Sequence, residues 1–154
     1  MGRMKIALGA DHAGYELKDA IKQRLQQKGI EVVDRGTSNA DSVDYPDYAR
    51  IVAQEVAGKR ADMGILVCGS GIGMAISANK IDGIRAANVS TEYEAQMSRE
   101  HNNANILALG ARILQPEQAF AIVEKWLETA FAGGRHERRV EKIGQIEKNR
   151  VPAP

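Results

Sequence analysis

Gly64-Ile65-Leu66-Val67-Cys68-Gly69-Ser70-Gly71-Ile72-Gly73-Met74-Ala75 is the stretch that decides the fold. Gly64 to Val67 is a short, continuously apolar run, the pattern of a strand buried on both faces of a parallel sheet. A glycine-rich turn follows, and Ile72 to Asn79 reads as a helix. The only cysteine of the chain therefore stands where a strand ends and a loop begins. In parallel α/β sheets that edge is where ligands bind. Glycines at 69, 71 and 73 let backbone N–H groups approach an anion closely, and the start of the next helix adds partial positive charge. A free cysteine is also commonly a small buried core residue, and position alone leaves both readings of Cys68 open.

The loop is not a nucleotide motif. Its spacing is G-x-G-x-G rather than G-x-G-x-x-G, and it lies mid-chain. The strand ending near Val89 offers no acid for a ribose, and the Gly-Lys-Ser/Thr ending of a P-loop is absent. Ser70 also comes one place too early for a nucleophile elbow.

Strands and helices alternate on both sides of this loop. Lys5 to Ala10 predicts a first strand. Leu17, Ile21 and Leu25 mark a helix closed by Gly29. Glu31 to Asp34 is a second strand, and Gly36 to Pro46 a polar loop. Tyr48, Ala49, Val52, Ala53 and Val56 give a second helix, stopped by Gly58. Met63 to Val67 is the third strand and Ile84 to Val89 the fourth. Thr91 and Glu94 have capping-box spacing, so a helix begins near Glu92. Asn105 to Leu109 is the fifth strand. Pro116 suits the first turn of a helix carrying Ala119, Ile122, Val123, Trp126, Leu127 and Ala130. Gly133-Gly134 breaks it, and a basic last helix carries Val140, Ile143 and Ile146. This alternation predicts an α/β fold, a three-layer α/β/α Rossmann-like sandwich around a five-stranded parallel sheet. Residues 1–154 are expected to form one domain. Residues 1–3 read as an extension ahead of a natural start at Met4, and 151–154 as a flexible, frayed tail.

Composition excludes several function classes. Of 154 residues 44% are apolar, enough for a sizeable core. The 21 basic and 20 acidic side chains leave a net charge of +1, which gives no reason to expect nucleic acid or an anionic membrane as partner. A single cysteine forms no internal disulfide, which fits a reducing, cytoplasmic setting. No apolar run approaches a membrane span, and Met1 to Met4 is too short and polar for a signal peptide. The three histidines and one cysteine lack the ligand spacing of a zinc site, so no metal is expected.

Other polar residues gather at predicted element ends. Asp11-His12 ends the first strand at the same edge as Cys68, placed either to bind hydroxyls and move protons or merely to cap a helix. Arg112 follows the fifth strand at that edge. His101-Asn102-Asn103 follows a helix, and a His flanked by amides is more often just a turn than a functional group. Gly133-Gly134-Arg135-His136-Glu137-Arg138-Arg139 clusters three arginines, the residue suited to bidentate phosphate contacts, although most charge runs are solvated faces. All three histidines of the chain fall beside these features.

Together these residues resemble the type B ribose-5-phosphate isomerases, which belong with the galactose-6-phosphate isomerase subunits. The resemblance runs from Met4 to about Arg150. It is carried by Gly9-Ala10-Asp11-His12-Ala13-Gly14, Asp44-Tyr45-Pro46, Cys68-Gly69-Ser70-Gly71-Ile72-Gly73, Ala78-Asn79-Lys80, Gly83-Ile84-Arg85-Ala86, Ser98-Arg99-Glu100-His101-Asn102 and Gly133-Gly134-Arg135-His136. It implies aldose–ketose isomerisation of a sugar phosphate without metal or cofactor. By resemblance, Cys68 is the base that shuttles a proton between C1 and C2. Ser70 and the amides of Gly69, Gly71, Ile72 and Gly73 would hold the enediolate, and His101 would help open the sugar ring. Asp11 would contact sugar hydroxyls, and His12, Asn102, Arg112, Arg135, His136 and Arg139 would bind sugar or phosphate. The family often has Thr at position 70, and Ser keeps the hydroxyl. Some members use a glutamate a few residues on as base; here position 74 is Met, which leaves Cys68 as the candidate. The substrate is open among ribose, allose, galactose and tetrose phosphates, and a non-catalytic phosphosugar-binding subunit is the alternative.

One expectation comes from topology. Asp11 and Cys68 follow strands, whereas His101 and Asn102 follow a helix, so one subunit should place them at opposite sheet edges. A homodimer, or a tetramer built from it, would reunite them in a site shared between subunits.

Overall fold

A computed structural model describes residues 2–149; the tail expected at 151–154 lies outside them. The elements in order are β1 (Lys5–Ala10), α1 (Tyr15–Gln27), β2 (Glu31–Asp34), α2 (Tyr45–Ala57), β3 (Met63–Cys68), α3 (Ile72–Ala78), β4 (Ala86–Asn88), α4 (Glu92–Glu100), β5 (Ile106–Gly110), α5 (Pro116–Glu128) and α6 (Arg135–Lys148). The five strands pair in parallel in the order β2-β1-β3-β5-β4, the sheet the sequence predicts.

Strand order and chirality together place the helices. Right-handed crossovers put the helix of a leftward connection on one face and that of a rightward connection on the other. The connections β1 to β2 and β4 to β5 run one way, and β2 to β3 and β3 to β4 run the other. Accordingly α1, α4 and α5 share one face and α2 and α3 the other. Each central strand feeds both layers by simple alternation. Met63, Ile65 and Val67 enter the core under α1 and α5, while Leu66 and Cys68 enter the core under α2 and α3. All six residues of β3 are buried, which is why that run reads as continuously apolar. Trp126 of α5 is fully buried in the first of these cores.

Several boundaries differ from the expectation, β3 running one residue further to Cys68 and α3 and α5 ending earlier, at Ala78 and Glu128. The second helix starts at Tyr45, not near Tyr48, because extended Asp44 precedes it and Pro46 sits in the first turn, where its missing N–H is not needed. The predicted loop to Pro46 is correspondingly shorter. The fourth strand is only Ala86–Asn88. Ile84 is buried, but its N–H closes a turn onto Ile81 O, and the Arg85 N–H goes to the Asn105 side chain. The fifth strand lies one residue later than predicted, at Ile106–Gly110. The Thr91 cap is present: its hydroxyl accepts the Glu94 N–H at 3.0 Å. The Glu94 carboxylate reaches back to the Ser90 N–H at 2.9 Å, one residue upstream of the usual partner.

The turn into α1 packs directly on the end of β3. A Cβ at Gly14 would stand 2.4 Å from the Val67 carbonyl oxygen. Gly14→Ala should therefore force α1 away from β3 and cost about 1–3 kcal/mol, as overpacking does. A urea melt measures this, and an unchanged midpoint would show that α1 shifts freely.

Candidate active site

Four chain segments meet at the carboxyl edge of β3. A cavity of about 560 Å³ lies there, lined by Asp11, Tyr45, Cys68, Gly69, Ser70, Ile72, Gly73, Ile76, Arg112 and Ile113. Cys68 is 4% exposed, and its Sγ accepts the Gly71 N–H at 3.1 Å. That geometry needs the left-handed backbone of Gly71, φ 82°, which turns its N–H back over the strand end. Ser70 Oγ accepts the Ile72 N–H at 3.2 Å, so its own hydroxyl proton is available to a ligand. Arg112 lies along the loop: its N–H donates to Gly69 O at 3.0 Å, and among the described residues its guanidinium is the one cationic group lining this cavity.

Asp11 is buried in the β1–α1 turn. Its Oδ1 accepts the Ala13 and Gly14 N–H groups at 2.9 and 3.1 Å. Asp11 does not cap α1, whose N-cap is Gly14 with no side-chain bond; one oxygen closes the turn ahead of the helix, and the residue lines the cavity. His12 does not line it. Its Nδ1 accepts the Val43 N–H at 3.2 Å.

The other expected residues form a separate group. His101, Asn102, Arg135, His136 and Arg139 line a pocket of about 270 Å³ together with Val140 and Ile143. Gly133 and Gly134, both at positive φ, turn the chain from α5 into α6. Ala132 N–H donates to Glu100 O at 3.1 Å, which brings the start of α6 to the end of α4. The His101 and His136 rings then stack, with centroids 4.2 Å apart and planes 15° from parallel. Desolvation, then the positive fields of His101, Arg135 and Arg139, hold His136 below the ordinary imidazole value.

The two groups lie at opposite edges of the sheet. Cys68 is aligned with Gly110 at the carboxyl ends of β3 and β5. His101 precedes β5, whose amino end is marked by the Gly64 N–H donating to Asn105 O. One chain does not bring the thiol and His101 together. Among the described residues no group of His, Cys, Asp and Glu is placed to hold a metal ion, and no helix is long and apolar enough to cross a membrane.

Residue-type reasoning missed the apolar wall. Tyr45 lies so close to the loop that a Cβ at Gly73 would meet its ring at 2.5 Å. Placing the helix start at Tyr48 hid it, although Asp44 before Pro46 was the available signal. Ile76 and Ile113 were hidden because exposed isoleucines carry no chemical signature.

Fold and site define a Rossmann-like α/β protein with a thiol and an amide nest at the sheet's carboxyl edge. Comparison with known proteins is specific: the family model described as Ribose/Galactose Isomerase matches residues 6–143, and the chain belongs to this family. It is 50% identical to ribose-5-phosphate isomerase B of Escherichia coli (strain K12) over 146 residues, 95% of this chain and 98% of that protein. A solved structure of ribose-5-phosphate isomerase B from Clostridium thermocellum superposes with a TM-score of 0.93 at 53% identity, covering 94% of this chain and 98% of that one. The Mycoplasma genitalium ribose-5-phosphate isomerase B, solved with bound ribulose-5-phosphate, gives 0.91 at 40% identity, over 96% and 98% of the two chains.

Gly71 is the position where this site is least tolerant. An added Cβ would stand 2.4 Å from Asn88 Nδ2 and 2.9 Å from the Leu109 carbonyl carbon. Gly71→Ala should displace the N–H from Cys68 and lower isomerase kcat/KM by about 10–100-fold, the scale of a lost hydrogen bond to a charged group. Wild-type turnover in this variant would show that the Gly71 N–H does not serve the thiol.

Proposed function

We propose that the protein interconverts ribose 5-phosphate and ribulose 5-phosphate, with Cys68 as the base. The observation that supports this best is the recessed Cys68 Sγ, facing the Gly71 N–H in a cavity that Asp11, Ser70 and Arg112 also line. The Cys68 thiolate takes the proton from C2 of the open-chain aldose, and the C2–H electrons form the enediol double bond. The negative charge moves to oxygen, where the amides of the 69–73 loop and the Ser70 hydroxyl meet it. Such preorganised donors commonly supply the largest part of the barrier reduction. The hydroxyl proton on O2 passes to O1, and as the O2 electrons form the C2 carbonyl the enediol double-bond electrons take the proton back from the thiol at C1, which gives the ketose. The second oxygen of Asp11 accepts from a sugar hydroxyl.

The remaining roles fall to the second group. His101 moves protons during ring opening, with Asn102 beside it on the sugar. Arg135 and Arg139 hold the phosphate, a dianion remote from the reacting carbons whose binding energy serves the chemical step. Arg112 and His12 contribute from the Cys68 side. His136, stacked on His101, completes this half.

The two halves meet in a homodimer. A second chain would reconcile the opposite-edge placement with one shared site, and the surfaces support such a pairing. Ile72, Ile76 and Ile113 are each more than half exposed around the Cys68 cavity. Helix α6 buries none of its side chains, and Val140 and Ile143 line the second pocket. Two-fold pairing covers both apolar faces while joining His101 of one chain to Cys68 of the other.

Subunit complementation tests the shared site, and a panel of pentose, hexose and tetrose phosphates tests the substrate. Cys68→Ala and His101→Ala homodimers should each keep no more than a few per cent of wild-type kcat. Unfolded and refolded together, half the dimers are mixed and carry one intact site, so activity should return to roughly a quarter of wild type. No recovery with mixed dimers present would place both residues in one chain. A higher kcat/KM on another sugar phosphate would reassign the substrate.

A further inference from the structure

Lys18 lies on the core-facing side of α1, and none of its side chain is exposed. Its ammonium donates to Asp34 Oδ1 at 2.8 Å and to the Thr37 carbonyl at 2.7 Å, with Asp19 Oδ1 at 3.4 Å. Burying an ammonium is costly, and well-packed apolar replacements of buried ion pairs are often equally stable. Stability alone is therefore a poor account of a cation here. What Lys18 does is hold an irregular segment in place.

The segment is 35–44, between β2 and α2. At its root the Asp34 carboxylate accepts the Gly36 N–H at 2.9 Å, and Lys22 approaches its other oxygen at 3.2 Å. Burial works against the Asp34 charge, but the bonds from Lys18, Gly36 and Lys22 outweigh it and hold the carboxyl below its ordinary value. Gly36 and Thr37 carry the pairing with β1 beyond the end of β2. The Ala10 N–H donates to Gly36 O at 2.8 Å, and the Thr37 N–H to Ala10 O at 2.9 Å. Ala10 is the residue before Asp11. The segment then returns along the carboxyl edge, where the Val43 N–H donates to His12 Nδ1 and Tyr45 lines the Cys68 cavity. A backbone N–H cannot accept, so His12 Nδ1 is the acceptor and the neutral ring carries its proton on Nε2.

We infer that Lys18 is a positioning residue for the active site: its ammonium pins the root of segment 35–44, and that segment fixes the His12 ring as an Nε2–H donor. It acts through main chain, with no contact to substrate. The inference rests on the part proposed above for His12 in binding the sugar phosphate.

The test is Lys18→Met, which keeps the length and removes the charge, read in two ways. In ¹⁵N spectra of the free protein, His12 should show one protonated and one unprotonated nitrogen in the wild type and averaged values in the variant. In a double-mutant cycle with His12→Ala, Lys18→Met alone should lower kcat/KM roughly tenfold, yet change it less than about twofold once His12 is gone, since coupled residues are non-additive. Unchanged His12 nitrogens, or a full additional loss in the His12→Ala background, would overturn the inference. Should Lys18→Met not fold, Asp34→Asn keeps an acceptor for Gly36, removes the partner charge, and is read by the same two measurements. If His12→Ala keeps wild-type kcat/KM, the role of His12 in binding falls, and the nitrogen shifts still decide the role of Lys18.

Discussion

Gly14, Gly71 and Gly110 let segments of main chain touch at the carboxyl edge of the sheet. A Cβ on each would fall 2.4 Å from Val67 O, 2.9 Å from Leu109 C and 2.7 Å from Ser70 O respectively. With no side chain between them, the segments bond to one another directly. The Asp11 N–H donates to Val67 O, the Ala111 N–H to Cys68 O and the Arg112 N–H to Gly69 O. The surroundings of Cys68 are thus set by peptide groups, which have two soft torsions per residue and no rotamers to reorganise. The donors around the thiol are in place before substrate arrives, and the geometry that gives the site its chemistry is the same geometry that closes the fold.

The parallel sheet was legible because β3 and β5 are buried on both faces, and such strands read as unbroken apolar runs. The loop at 68–73 was legible because only closely packed main chain needs so many glycines. The short β4 was not, since Ile84 is as apolar and buried as a strand residue while its N–H serves a turn. Tyr45 was lost with the start of α2, where a proline that usually ends helices instead sits in a first turn. Lys18 left no trace as a site residue. Helical spacing does put it on the apolar stripe, three before Ile21 and seven before Leu25, but a lysine among Leu17, Ile21 and Leu25 names no partner, and only the fold shows what its ammonium holds.

Topology carried more functional information than motif spacing did. The residues expected around one substrate separate into a strand-end group and a helix-end group, and a parallel sheet keeps such groups apart. That separation follows from chain direction alone, so it was foreseeable before any side chain was placed. The stacking of His101 on His136 was not foreseeable, because it depends on the Gly133-Gly134 turn and the bond from Ala132 to Glu100.

Helix α6 has a further consequence. It is 14 residues long, buries none of its side chains, and is held mainly at its ends, by the histidine stack and by the Glu147 carboxylate on the Gly83 N–H at 3.1 and 3.2 Å. It leaves α5 through two glycines at positive φ, and it carries Arg135 and Arg139. The thiol and its amides belong instead to the rigid body of the sheet. On the roles proposed above, small shifts of this helix would change the reach of Arg135 and Arg139 and leave the surroundings of Cys68 untouched. An architecture divided in this way can lengthen or shorten the molecule it accepts over evolutionary time while conserving one reaction.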